Sequence, residues 1–119
     1  MSPIEGQVVQ GKHLGRKLGF PTANINAEAS WPYGVYAVEA YIDGSDVPRR
    51  AVANIGKHPT APEGAPTIEV HVIDLHADLY GHRMRIECLE RLRSEIRFSS
   101  LDELREQLKR DVQAARRHA

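Results

Sequence analysis

The chain has 119 residues, enough for one compact domain and too few for two full cores. Lysine plus arginine and aspartate plus glutamate number 16 each, so the formal charge is zero, which argues against a protein that holds nucleic acid mainly by neutralising phosphates. A single cysteine, Cys88, rules out an internal disulfide, and no apolar run reaches the roughly 18 residues of a membrane helix. With no signal-peptide character in "MSPIEGQ", a reduced, cytoplasmic setting without membrane attachment is the expectation.

The first predicted element is a strand over Ile4 to Gln10, ended by Gly11. Gly11 to Tyr33 then reads as a long irregular stretch. "GVYAVEAYI", Gly34 to Ile42, is rich in β-branched and aromatic residues and stops at Asp43-Gly44, a strong turn signal. Arg50 to Ile55 follows and should pair back as a hairpin. Gly56 to Pro66 is a second irregular stretch. In "TIEVHVID", Thr67 to Asp74, Ile68, Val70 and Val72 share one face, while Glu69 and His71 share the other. "RMRIECLE", Arg83 to Glu90, alternates in the same way and puts Cys88 with Met84 and Ile86, a core position rather than that of a nucleophile.

The last segment changes period. Ser100 and Glu103 have the spacing of a capping box, and Leu101, Leu104, Leu108, Val112 and Ala115 form one helical stripe. Arg116, Arg117 and His118 suit the negative end of the helix dipole. Five or six short strands followed by one helix predict a mainly β fold: an antiparallel sheet closed into a small barrel, with the helix packed on it.

Four patterns carry candidate chemistry. "GQVVQGKH", Gly6 to His13, approaches a phosphate-loop pattern with Lys12 as the phosphate lysine. It has His13 where the metal-binding hydroxyl belongs, and no helix is predicted after it. "GRKLGFPTAN", Gly15 to Asn24, offers Gly15 and Gly19 for close backbone approach, Arg16 and Lys17 for charge, and Pro21 to stiffen the chain. If Thr22 to Asn24 is extended, the Thr22 hydroxyl and the Asn24 amide oxygen point the same way, as hard oxygen ligands suited to Mg²⁺. The same ten residues also read as a turn entering a strand, with Thr22 and Asn24 bonding locally. Glu69 is a carboxylate on a rigid strand, placed either to act as a general base or to face solvent, and His71 beside it either orients a substrate or is exposed. The six histidines lack metal-site spacing, which disfavours structural zinc.

In order, "GRKLGFPTAN", "GVYAV", "ANIGKHPT" (Ala53 to Thr60), "IEVHVID", "LYG" (Leu79 to Gly81) and "RLRSEIRFSSLDELREQLKRD" (Arg91 to Asp111) make the chain resemble the riboflavin kinase domain of bacterial riboflavin kinase/FAD synthetases. The resemblance runs from about Ile4 to Arg116. It implies a six-stranded, Greek-key-like antiparallel barrel with a C-terminal helix, spanning residues 1–119 as one domain. It implies transfer of the ATP γ-phosphate to the riboflavin 5′-hydroxyl, giving FMN and ADP. On that resemblance Glu69 is the base and Thr22 and Asn24 meet the metal, Mg²⁺. Gly15, Arg16, Lys17, Gly19 and Pro21, with Thr22 and Asn24, lie at the nucleotide. Asn54, His71, Arg93 and Phe98 fall on the flavin side, and Gly56 to Pro66 is a flap. Bacterial members usually carry an N-terminal domain that makes FAD. The chain is either a stand-alone kinase or a piece of such an enzyme, and FAD synthesis by this chain alone is not expected. Two rival readings remain: a module that binds flavin without turning it over, and a nucleic-acid-binding barrel, which the neutral charge and 6% aromatic content disfavour.

Overall fold

The computed structural model describes residues 1–10, 18–57 and 65–118. Its strands are β1 (Ile4–Val9), β2 (Ala23–Asn26), β3 (Gly34–Ile42), β4 (Arg49–Gly56), β5 (Thr67–Val72) and β6 (Arg83–Arg93). They close into a barrel in the order β1-β2-β5-β4-β3-β6, with every neighbouring pair antiparallel. The expected mainly β architecture is found, and closure removes the exposed sheet edge that an open six-stranded sheet would present. No helix among the described residues is long and apolar enough to cross a membrane.

Alternation fills the barrel. Tyr36, Val38 and Ala40 of β3, Ala51, Ala53 and Ile55 of β4, Ile68, Val70 and Val72 of β5, and Met84 and Ile86 of β6 are all buried in one core. Alanines beside tyrosine and isoleucine let large and small side chains interdigitate in a narrow interior. The polar tips of the buried rings are satisfied: Tyr36 Oη donates to the Pro32 carbonyl at 2.5 Å, and Trp31 Nε1 to the Ser2 carbonyl at 2.8 Å. Cys88 packs half-buried against this core, and burial pushes its thiol up, as expected of a packing residue. The β3–β4 turn is where the sequence predicts it. Asp43 and Gly44 both take positive φ (53° and 75°), and the Ser45 N–H donates to the Ile42 carbonyl at 3.0 Å.

Two expectations are corrected. Gly11 to Tyr33 is not irregular throughout, because β2 lies within it, held by β1 on one side and β5 on the other. Only Ala23 and Ile25 of its four residues point into the core, too few to show a period. The helical stripe is also not docked along its whole length. In α1 (Leu101–Arg117), Ala115 and Val112 pack against Val35, Ala37 and Val52 on the outside of the barrel, whereas Leu101 is 58% exposed.

Both helix ends are tied. The Ser100 hydroxyl accepts from the Glu103 N–H at 3.1 Å, while the Glu103 carboxylate accepts from the Ser99 N–H, one residue before the capping-box position. At the far end Arg50 Nη1 donates to the carbonyls of Ala115 and His118, at 2.5 and 2.8 Å, and Arg116 forks onto Asp74 at 2.8 and 2.9 Å.

Candidate active site

Strand register builds the site on the outside of the barrel. Asn24 stands opposite Glu69, Glu69 opposite Asn54, Asn54 opposite Val35, and Val35 opposite Arg93. Directly opposed residues share a face, so one row crosses five strands and carries four polar side chains at its two ends and middle. The crossover that makes β2 the neighbour of β5 brings Asn24 beside Glu69, although 45 positions separate them in the chain.

Glu69, Asn54, Val35 and Arg93 of this row form one wall of a cavity of about 230 Å³, with Asn24 standing beside Glu69 at the row's end. The opposite wall is the N-terminal half of α1, through Leu104 and Leu108, with Val112 at its closed end, and the segment before the helix adds Glu95, Ile96 and Phe98. The cavity is two-sided in character: Val35, Val52, Phe98 and the helical leucines are apolar, while Asn54, Thr67, Glu69 and His71 gather polar groups at the other end. Burial, together with the Glu95 carboxylate, holds the Glu69 carboxyl above the usual carboxylate range. Burial raises Glu95 too, against the lowering effect of Arg93. Among the described residues the Asn54 side-chain oxygen is buried without a hydrogen-bond partner, an acceptor facing the same polar end.

A second cavity, about 650 Å³, lies on the other side of the β2 entry, lined by the end of β1, by Gly19, Pro21, Thr22 and Ala23, and by Leu75 to Tyr80. Thr22 lines both cavities. The backbone leading to it is shaped by Gly19, whose φ of 88° lies in the left-handed region that favours glycine. The approach is pinned from β5: His71 Nδ1 is 2.8 Å from the Pro21 carbonyl, so that nitrogen carries the proton and donates, and the His71 ring meets Phe20 edge to face at 5.5 Å.

The structure therefore brings Thr22, Asn24, Glu69, Asn54 and His71 together, and Phe98 reaches the same cavity. Arg93 reaches it already engaged, with its guanidinium forked onto Asp111 at 2.8 and 2.9 Å. Lys12, His13, Gly15, Arg16 and Lys17, and residues 58–64 of the expected flap, lie outside the described residues. Among the described residues no group of three or more His, Cys, Asp or Glu side chains converges as a metal cage. The donors on offer are the neutral oxygens of Thr22 and Asn24, which fit an ion that shares its coordination with phosphates and water. Asp111 is the residue that the sequence reading missed. It occupies the stripe spacing 104, 108, 111, 115, so an acid on the apolar side of the helix was its available signal.

Thr22, at the entry to β2, thus joins the cleft under α1 to a larger cavity of mixed apolar and polar lining. The family model described as flavokinase, riboflavin kinase, matches residues 2–119. The bifunctional riboflavin kinase/FMN adenylyltransferase of Escherichia coli K12 is 45% identical over 115 residues, covering 95% of this chain and 36% of that protein. The crystal structure of riboflavin kinase from Trypanosoma brucei superposes with a TM-score of 0.71 at 26% identity, covering 96% of this chain and 74% of that one. A Streptococcus pneumoniae crystal structure described as a macrolide-efflux protein superposes with a TM-score of 0.85 at 35% identity, covering 98% of this chain and 39% of that one. The chain belongs to the riboflavin kinase family. It spans little more than a third of the length of its bifunctional relative.

Proposed function

We propose that this chain is a single riboflavin kinase domain that transfers the γ-phosphate of ATP to the 5′-hydroxyl of riboflavin. The observation that carries this reading is the junction of the two cavities at Thr22, with Asn24 and Glu69 paired beside it. The apolar cleft under α1 suits a flat tricyclic ring, and its polar end, with the Asn54 acceptor, suits a polyhydroxyl chain. The larger cavity, with Val8, Leu75 and Leu79 beside His76 and Asp78, suits a nucleotide.

Glu69 accepts the proton of the attacking hydroxyl, and its raised proton affinity suits a general base working near neutrality. Thr22 and Asn24 would hold the magnesium of Mg-ATP, which neutralises developing phosphate charge when bound. Gly15, Arg16, Lys17, Gly19 and Pro21 take the phosphate side. Phosphoryl transfer asks mainly for positioning and charge stabilisation, which fits a site built from strand register. The reading takes the setting to be the cytoplasm, with the chain either a stand-alone kinase or joined to an FAD synthetase domain as in its bifunctional relatives.

Titration of turnover against Mg²⁺ tests the junction. Asn24→Ala should require about tenfold or more metal for half-maximal rate while riboflavin fluorescence quenching keeps its midpoint. An unchanged metal titration removes Asn24 from the ion.

A further inference from the structure

Asp111 is 3% exposed and Arg93 16% exposed, and they meet fork to fork, Nε to Oδ1 at 2.9 Å and Nη2 to Oδ2 at 2.8 Å. Gln107 Nε2 donates to Asp111 Oδ1 at 3.0 Å, and Arg93 Nη1 donates to the Ser94 carbonyl at 3.0 Å. The pair thus joins the end of β6, the start of the segment carrying Phe98, and the middle of α1.

Its place along the helix is informative. On the C-terminal side α1 is seated on the barrel by Val112 and Ala115 and by Arg50. On the N-terminal side Leu104 and Leu108 line the cavity and are not part of the cluster that Val112 and Ala115 make with Val35, Ala37 and Val52. The ion pair stands at the vertex of this wedge, and both of its residues line the cavity. A buried ion pair is poor evidence of stability, because apolar residues of similar volume often serve as well or better. What it supplies here is a rigid two-pronged spacer of fixed length and direction. An apolar pair would let the helix settle onto Val35 and Val52 and narrow the cleft.

We propose that the Arg93–Asp111 pair is a positioning device that holds the N-terminal half of α1 off the barrel at the width a planar flavin ring requires. The inference rests on the riboflavin kinase reading and deepens it. Arg93 then acts on the flavin through the helix rather than as a free cation in the cleft.

The test compares Asp111→Leu, which fills the position without charge, and Asp111→Asn with the parent chain. Melting temperature, KM for riboflavin, KM for ATP and kcat are read for each. The spacer predicts that KM for riboflavin rises about ten- to a hundredfold in both variants, while KM for ATP and kcat at saturation stay within about threefold. Asp111→Leu leaves the Arg93 guanidinium without its partner and should melt lower than the parent, so its constants are read where both proteins are folded. The double variant Arg93→Leu/Asp111→Leu, which replaces the whole pair by apolar groups, should recover the parent's melting temperature and still bind riboflavin weakly. An Asp111→Leu protein that folds and keeps the parent's riboflavin KM overturns the spacer, as does a parallel rise in KM for ATP. Riboflavin fluorescence titration separates the two levels of the argument. A parent chain that binds riboflavin and makes no FMN sinks the kinase reading, and the spacer is then decided by whether Asp111→Leu weakens that binding. A parent chain that does not bind riboflavin overturns both.

Discussion

Glu69 concentrates opposing demands in one side chain. As the proposed base it would have to be ionised, yet burial and the facing Glu95 favour its neutral form. Replacing it by glutamine keeps shape and removes the base, so turnover should fall about a hundred- to ten-thousandfold with the fold intact. Full activity in that variant would exclude Glu69 as the base. The same raised pKa has a stability consequence of definite sign. The folded state binds this proton more tightly than the unfolded chain, so stability declines as pH rises from the ordinary glutamate value through the folded one, and the penalty persists above both. Measured without Mg²⁺ or ATP, Glu69→Gln should therefore melt higher than the parent at about pH 7, with the difference vanishing below about pH 4. A parent that melts higher at neutral pH would mean that the Glu69 carboxylate is stabilised by its surroundings, contrary to its position.

At the scale of elements, α1 is half anchor and half lid. Ala115 is fully buried against β3 and β4, whereas Leu101 is 58% exposed. Leu101→Ser should change stability by no more than about 0.5 kcal/mol. Ala115→Leu, which overfills a closed contact, should cost about 1–3 kcal/mol. Urea denaturation of both variants checks this, and comparable losses would show that the helix is docked along its whole stripe.

The elements also show what was legible in the chain. β5 was clear because its inner face is apolar and its outer face polar, so alternation is visible in six residues. β3 announces something more in its unbroken "GVYAV": Val35 and Ala37 face the helix while Tyr36 and Val38 face the core, so both faces are covered. β2 is too short to carry a period. The types of residue in the site could be read directly, with Thr22 and Asn24 as candidate oxygen donors and Glu69 as a candidate base. Their meeting could not, because it depends on the β2–β5 crossover, which local sequence does not encode. Asp111 hid for the opposite reason: its helical position was readable, but an acid in "LKRDV" passes for part of the charged face.

For the molecule as a whole, barrel and helix divide the labour. The closed barrel fixes Asn24, Glu69, Asn54 and Arg93 in one register and gives the site a rigid wall. The helix adds the second wall through Leu104, Leu108 and Val112. The central claim is that this arrangement phosphorylates riboflavin, and the most direct measurement is to incubate the chain with riboflavin, ATP and Mg²⁺ and separate the flavins by chromatography. The account predicts FMN accumulating with time, matched by ADP and dependent on both ATP and the metal. Riboflavin fluorescence quenched by the protein, with no FMN formed, would contradict it and leave a flavin-binding module in its place.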